Sequence, residues 1–122
     1  MSLMAFKVIH ILSVLFVFVS LGALMLASRE GVERGNGRKL AGMTHGIALL
    51  AVLVAGFGAL ARLGLSNPGA WPAWVWIKAT VWLVLGGITV LIRRSPQLGK
   101  LLWVLIPLLG GIAAWAAVYK PL

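Results

Sequence analysis

Cysteine is absent from the 122 residues, which excludes disulfides, thiolate metal sites, iron–sulfur clusters and covalent haem attachment through thiols. Acid is nearly absent as well. Glu30 and Glu33 are the only two carboxylate side chains, and both fall in a polar stretch between apolar runs. A proton or cation path lined by membrane carboxylates is thereby excluded. There is no nucleophile–base pair, no cluster of metal ligands, no P-loop and no dinucleotide fingerprint. Gly35-Asn36-Gly37 resembles a phosphate loop only in having glycines, and reads as a turn.

What is present is apolar. Hydrophobic residues make up 61% of the chain, charged residues only 11%, and the mean hydropathy is +1.05. A soluble domain is closer to half apolar, so the composition is that of a membrane protein. The stretch WPAWVWIKATVWLVLGGITVLIRR, residues 71–94, shows the pattern: a tryptophan-rich entrance, one lysine inside the apolar run, and two arginines as a stop. About 20 residues at 1.5 Å each cross a hydrocarbon core of about 30 Å. Four such spans are expected, at about 3–27, 40–63, 72–92 and 101–119. All are too long for strands, and only helices or closed barrels cross lipid. The length of the first span and its lack of a small-residue cleavage site argue against a removable signal peptide. The fold class is therefore all-α, a single integral membrane four-helix bundle over residues 1–122, with short loops implying up-down-up-down order.

The net charge of +9 sits in the loops and is no nucleic-acid signature. Arg29, Arg34, Arg38 and Lys39 follow the first span, and Arg93, Arg94 and Lys100 follow the third; Lys7, Arg62 and Lys120 lie at the opposite side. This bias places both basic loops in the cytoplasm, against anionic headgroups, and both termini outside a bacterial-type inner membrane. Trp71, Trp74, Trp76 and Tyr119 then form the outer aromatic belt. Gly42 and Gly46 form a GxxxG continued by Ala48, Ala51, Ala55 and Ala59, and Gly86-Gly87 and Gly110-Gly111 add small surfaces. Packing within the chain is the expected use of these rows, ahead of dimerisation. Pro107 is expected to kink the fourth helix.

Polar residues within the spans are His10, Ser13, Ser20, Thr44, His45, Lys78, Thr80 and Thr89. His10 enters the first helix from the outer end to about 10 Å, and Lys78 enters the third from the same side to similar depth. The two could share an outward-facing cavity, with Ser13 one turn below His10 on the same face. His45 enters from the cytoplasmic side, something like 15 Å away along the bilayer normal. A bis-histidine haem shared by His10 and His45 within one chain is therefore disfavoured. A haem b on His10 alone remains open, with Lys78, Lys7 or Lys120 near the propionates or Lys78 as second ligand. So do plainer readings: a neutral His10 hydrogen-bonded to a serine or a carbonyl of a neighbouring helix, and a Lys78 that snorkels past Trp74. The tryptophans read mainly as anchors and packing.

FKVIH in the first span, WVWIKATVWLVLGG in the third and the closing YKPL resemble the SirB-like small four-span membrane proteins, which share Lys-x-x-His early in the first helix and a Lys before Leu-Gly in the third. More distantly, the outer His and Lys pattern is similar to HemJ-type protoporphyrinogen oxidases and the CopD membrane domain. The SirB-like match is the closer and implies no established chemistry. The HemJ resemblance implies haem b binding and porphyrinogen oxidation, with His10 and Lys78 at the matching positions. The residues point first to a membrane protein without a catalytic centre of its own, an accessory or packing subunit alone or within a larger membrane protein complex. His10, Lys78 and Ser13 are its candidate ligand or partner site, and His10 its candidate haem iron ligand. A haem-binding oxidoreductase or porphyrin-handling protein is the second reading.

Overall fold

The computed structural model describes residues 2–29, 36–65 and 67–119. The chain's two glutamates, Arg34 and the closing Lys120-Pro121-Leu122 lie outside the described residues. Four α-helices account for most of the rest: α1 (Leu3–Arg29), α2 (Asn36–Arg62), α3 (Ala73–Arg94) and α4 (Gly99–Tyr119). There is no strand among the described residues, and each of the four helices is long and apolar enough to cross a membrane. The helices outrun the apolar stretches at the basic ends. Backbone hydrogen bonding continues past the point where hydrocarbon would end, so α1 reaches Arg29 and α2 begins at Asn36.

The connections are built from residues suited to them. α2 closes on a left-handed Gly64 (φ 77°), with Leu65 N–H bonding the Leu60 carbonyl at 2.8 Å and Gly64 N–H bonding that of Ala61 at 3.1 Å. This is the paired closure that a glycine just past a helix permits. Asn67 then accepts from Gly69 N–H at 3.0 Å and opens a short 3₁₀ turn, Pro68–Ala70. Pro72 is the residue before α3 rather than its first helical residue. A second 3₁₀ turn, Pro96–Leu98, joins α3 to α4, and α4 runs through Pro107 without ending there.

α1 packs most closely on α2, and α3 on α4; α1 also meets α3 and α4, while α2 meets α3 only lightly. The shared core draws on all four helices, with Val17, Leu21, Ala48, Val52, Leu85, Ile88 and Ile106 at its centre. Leu21 is fully buried, as is Ala116 near the end of α4. In lipid no hydrophobic effect pulls helices together, so close approach depends on small residues and polar contacts. Here the glycines divide. A Cβ at Gly110 would lie 2.7 Å from Phe18 Cζ, and one at Gly86 would lie 3.0 Å from Leu49 Cδ2, so both seat a side chain of a neighbouring helix. Gly58 receives the Phe6 ring in the same way. At Gly42 and Gly46 a Cβ would meet nothing within 4 Å, so the GxxxG of α2 is not a packing notch within this bundle. Ala48 and Ala55 of the same row are buried, as close packing requires.

Candidate functional site

Most hydroxyls inside the spans return to their own helix. Ser13 donates to the Ile9 carbonyl at 2.8 Å, Ser20 to Val17 at 2.8 Å, Thr80 to Trp76 at 2.9 Å and Thr89 to Gly86 at 3.2 Å. This local back-bonding satisfies a hydroxyl in an apolar medium without a partner helix. Ser13 is buried and so faces the bundle, but its proton is directed at α1's own backbone.

His10 reaches across instead. Its Nδ1 lies 3.0 Å from the Val52 carbonyl of α2. A carbonyl only accepts, so the contact assigns the proton to Nδ1 and leaves the lone pair on Nε2. The ring rests over Gly56, where a Cβ would come 3.4 Å from the imidazole Cε1. Glycine at that position thus lets the ring lie against the α2 backbone. The plain expectation, a histidine bonded to a carbonyl of a neighbouring helix, is met. Lys78 of α3 lies within range of a charge interaction with His10. Lys78 is half-buried.

The aromatic end of the bundle closes around the same region of the chain. Trp71 donates from Nε1 to the Leu65 carbonyl at 2.7 Å, and its ring lies 5.9 Å from Phe57 and 5.1 Å from Trp76 between centroids. Such tilted pairs are favourable aromatic geometries and stiffen the connection that leads into α3. Trp82 makes a contact that nothing in the sequence marks: its Nε1 donates 3.0 Å to the Leu49 carbonyl of α2. Leu49 and Val52 lie three residues apart on α2, and α3 bonds the first while α1 bonds the second.

His45 stands apart from this site. It is 6% exposed, and neither ring nitrogen has a hydrogen-bond partner among the described residues. The contacts of His10 with Val52 and of Ser28 with Arg38 bracket its level on α1, near Ser20 and Leu21 and toward the basic end. Its nitrogens are therefore not a second ligand opposite His10. No group of three or more metal-ligating side chains occurs among the described residues.

Haem b asks its protein for an imidazole lone pair on a held tautomer. His10 meets that requirement, because the bond to Val52 holds Nδ1 and presents Nε2. The donor set thus fits one axial histidine.

No protein-family model, curated protein or solved structure matches this chain.

Proposed function

We propose that this chain is a small multi-pass protein of a bacterial-type inner membrane, of the SirB-like kind, with helices in up-down-up-down order and both termini on the non-cytoplasmic side. It has no catalytic centre of its own and serves as an accessory or packing subunit within a larger membrane assembly. His10 and Lys78 form its ligand or partner site, and the observation that supports the reading is that His10 bonds across to the Val52 carbonyl of α2, whereas the hydroxyls of Ser13, Ser20, Thr80 and Thr89 return to their own helices. Between 17% and 33% of each span is buried within the bundle, which leaves most of the helical surface for lipid or partner helices. Alternating contacts support the helix order: His10 meets Val52 near one end of the α1–α2 pair, and Ser28 meets Arg38 near the other.

Extraction in mild detergent at native expression tests the assembly. Migration of the protein with something larger, disrupted by Lys78→Ala but not by Thr80→Ala, is the expected result; migration as a solitary 13.0 kDa species sinks the accessory role. A second reading, a haem b protein of HemJ or CopD type, is favoured by the tautomer of His10 alone. It requires a Soret band in the purified protein that shifts or disappears in His10→Ala, and a colourless preparation from haem-replete cells removes it. Orientation is separately testable because the native chain lacks cysteine. Asn67→Cys should react with an impermeant thiol reagent from outside intact cells, and Gln97→Cys should not.

A further inference from the structure

Arg38, His45 and Val52 recur at heptad spacing along α2 and so share one face of that helix. Both ends of this face meet α1. Arg38 Nη1 donates to Ser28 Oγ at 3.0 Å, and the Val52 carbonyl holds His10 Nδ1 at 3.0 Å. His45 lies midway between them and is therefore turned toward α1, at the level of Ser20 and Leu21, which are 2% and 0% exposed. Neither of its nitrogens has a partner among the described residues, and the Ser20 hydroxyl is committed to the Val17 carbonyl at 2.8 Å. An imidazole enclosed in this way is held as the neutral base, because burying an unpaired charge costs far more than burying a neutral polar group.

The surroundings supply nothing to offset a positive charge. At this end the charged residues of the four helices are all cations: Arg29 of α1, Arg38 and Lys39 of α2, Arg93 and Arg94 of α3, and Lys100 of α4. No carboxylate lies among the described residues. The same turn of α2 has freedom to move. A Cβ at Gly42 or Gly46 would meet nothing within 4 Å, and α2 meets α3 only lightly. The aromatic half of α2 is tied to α3 through Trp82 and Leu49 and to α1 through His10 and Val52.

We propose that His45 is an acid-sensitive latch on the α1–α2 contact: protonation of its imidazole parts the two helices at the basic end of the bundle. Opening admits water to the ring, which then takes up a proton at about pH 6.5, the ordinary range for histidine. The closed pair leaves the ring dry and unpaired and does not take up that proton. The closed form is thus fully favoured above this pH and loses ground as pH falls through it, since acid favours the form that binds more protons. One proton taken up on opening raises the ratio of open to closed about tenfold between about pH 8 and about pH 5.5. His10 is not equivalent, because a proton on its Nε2 leaves the bond from Nδ1 to Val52 intact. The latch does not depend on the role of His10 and Lys78.

Ser20→Cys and Ser13→Cys, near-isosteric replacements on α1 in a chain without native cysteine, report the two ends of the contact. The full chain in maltoside micelles is treated with a small thiol reagent across this pH range. The ratio of the Ser20→Cys rate to the Ser13→Cys rate cancels the pH dependence of the thiol itself. That ratio should rise about tenfold on acidification, stay flat when His45→Leu is added, and rise as before with His10→Gln. A flat ratio with His45 in place overturns the proposal, as does a rise that persists in His45→Leu. The unfolding equilibrium of the cysteine-free chain is a second measurement. Its ratio of folded to unfolded protein should fall about tenfold further over this range than that of His45→Leu, and equal falls in the two overturn the proposal.

Discussion

Replacing His45 by leucine should make this protein more stable. The side chain is 6% exposed and both of its nitrogens lack a partner among the described residues. A buried donor or acceptor left unsatisfied costs about 1–3 kcal/mol, and a neutral imidazole carries one of each. The full sum overstates the effect in a membrane, because helices that are inserted but unpacked also find partners for their polar groups. A leucine fills comparable space with no polar atom, so the net gain is expected at about 1–3 kcal/mol, a change of roughly five- to 150-fold in the ratio of folded to unfolded protein. His45→Ala separates this from simple packing: it also removes the nitrogens but leaves a cavity beside Ala41 and Ala48, so its stability should fall below that of the leucine variant. Reversible unfolding in maltoside–dodecyl sulfate mixtures, followed by tryptophan fluorescence, measures both. A leucine variant less stable than wild type by more than about 1 kcal/mol would refute the reasoning. It would mean that the nitrogens of His45 are satisfied in the working protein, by water, a cofactor or a partner chain.

Other outcomes follow from the helix contacts. Gly110→Val should lower stability by about 1–3 kcal/mol, because its Cβ would lie 2.7 Å from Phe18 Cζ. Gly111→Val, where a Cβ meets nothing within 4 Å, is the matched control, and Phe18→Ala should cost less stability in the Gly110→Val background than in the Gly111→Val background. Trp82→Phe keeps an aromatic ring but loses the 3.0 Å bond to the Leu49 carbonyl, at a cost of about 0.6 kcal/mol and up to about 1.7, read by the same unfolding titration. Gly56→Leu should displace the His10 ring from α2, and the imidazole signals of His10 in an NMR spectrum of selectively labelled protein should shift while those of His45 stay in place.

The spans were legible because twenty apolar residues in a row have few other uses, and the expectation that His10 and Lys78 lie at similar depth came from counting alone. A rise of 1.5 Å per residue converts position in the chain into height in the membrane, and equal heights on two helices make contact available. Rotation about the helix axis is the coordinate that counting leaves undetermined. Gly42 and Gly46 carry the familiar spacing but turn to open space, whereas Gly56, Gly58, Gly86 and Gly110, with less regular spacing, seat His10, Phe6, Leu49 and Phe18. The partners of His10 and Trp82 were illegible for a related reason. Both bond main-chain carbonyls, and a carbonyl is present at every residue, so no side-chain pattern announces which one is used.

Salience in the sequence and centrality in the bundle also fall on different helices. Residues 71–94 draw attention because they combine tryptophans, a membrane lysine and a double-arginine stop, yet those features belong to a helix's ends and its polar face. The helix packed most extensively against the others is α1, and Val17, Ser20, Leu21 and Leu24, each no more than 2% exposed, form its inner stripe. Nothing in that stripe is chemically distinctive; its role comes from being enclosed on several sides. α2 in turn fixes α1 against α3, since its Leu49 and Val52 carbonyls receive Trp82 from one helix and His10 from the other. α2 thus holds one side chain from each of the helices that carry His10 and Lys78. A substitution that tilts α2, such as one that overfills Gly56, should alter the surroundings of His10 as surely as a change to His10 itself.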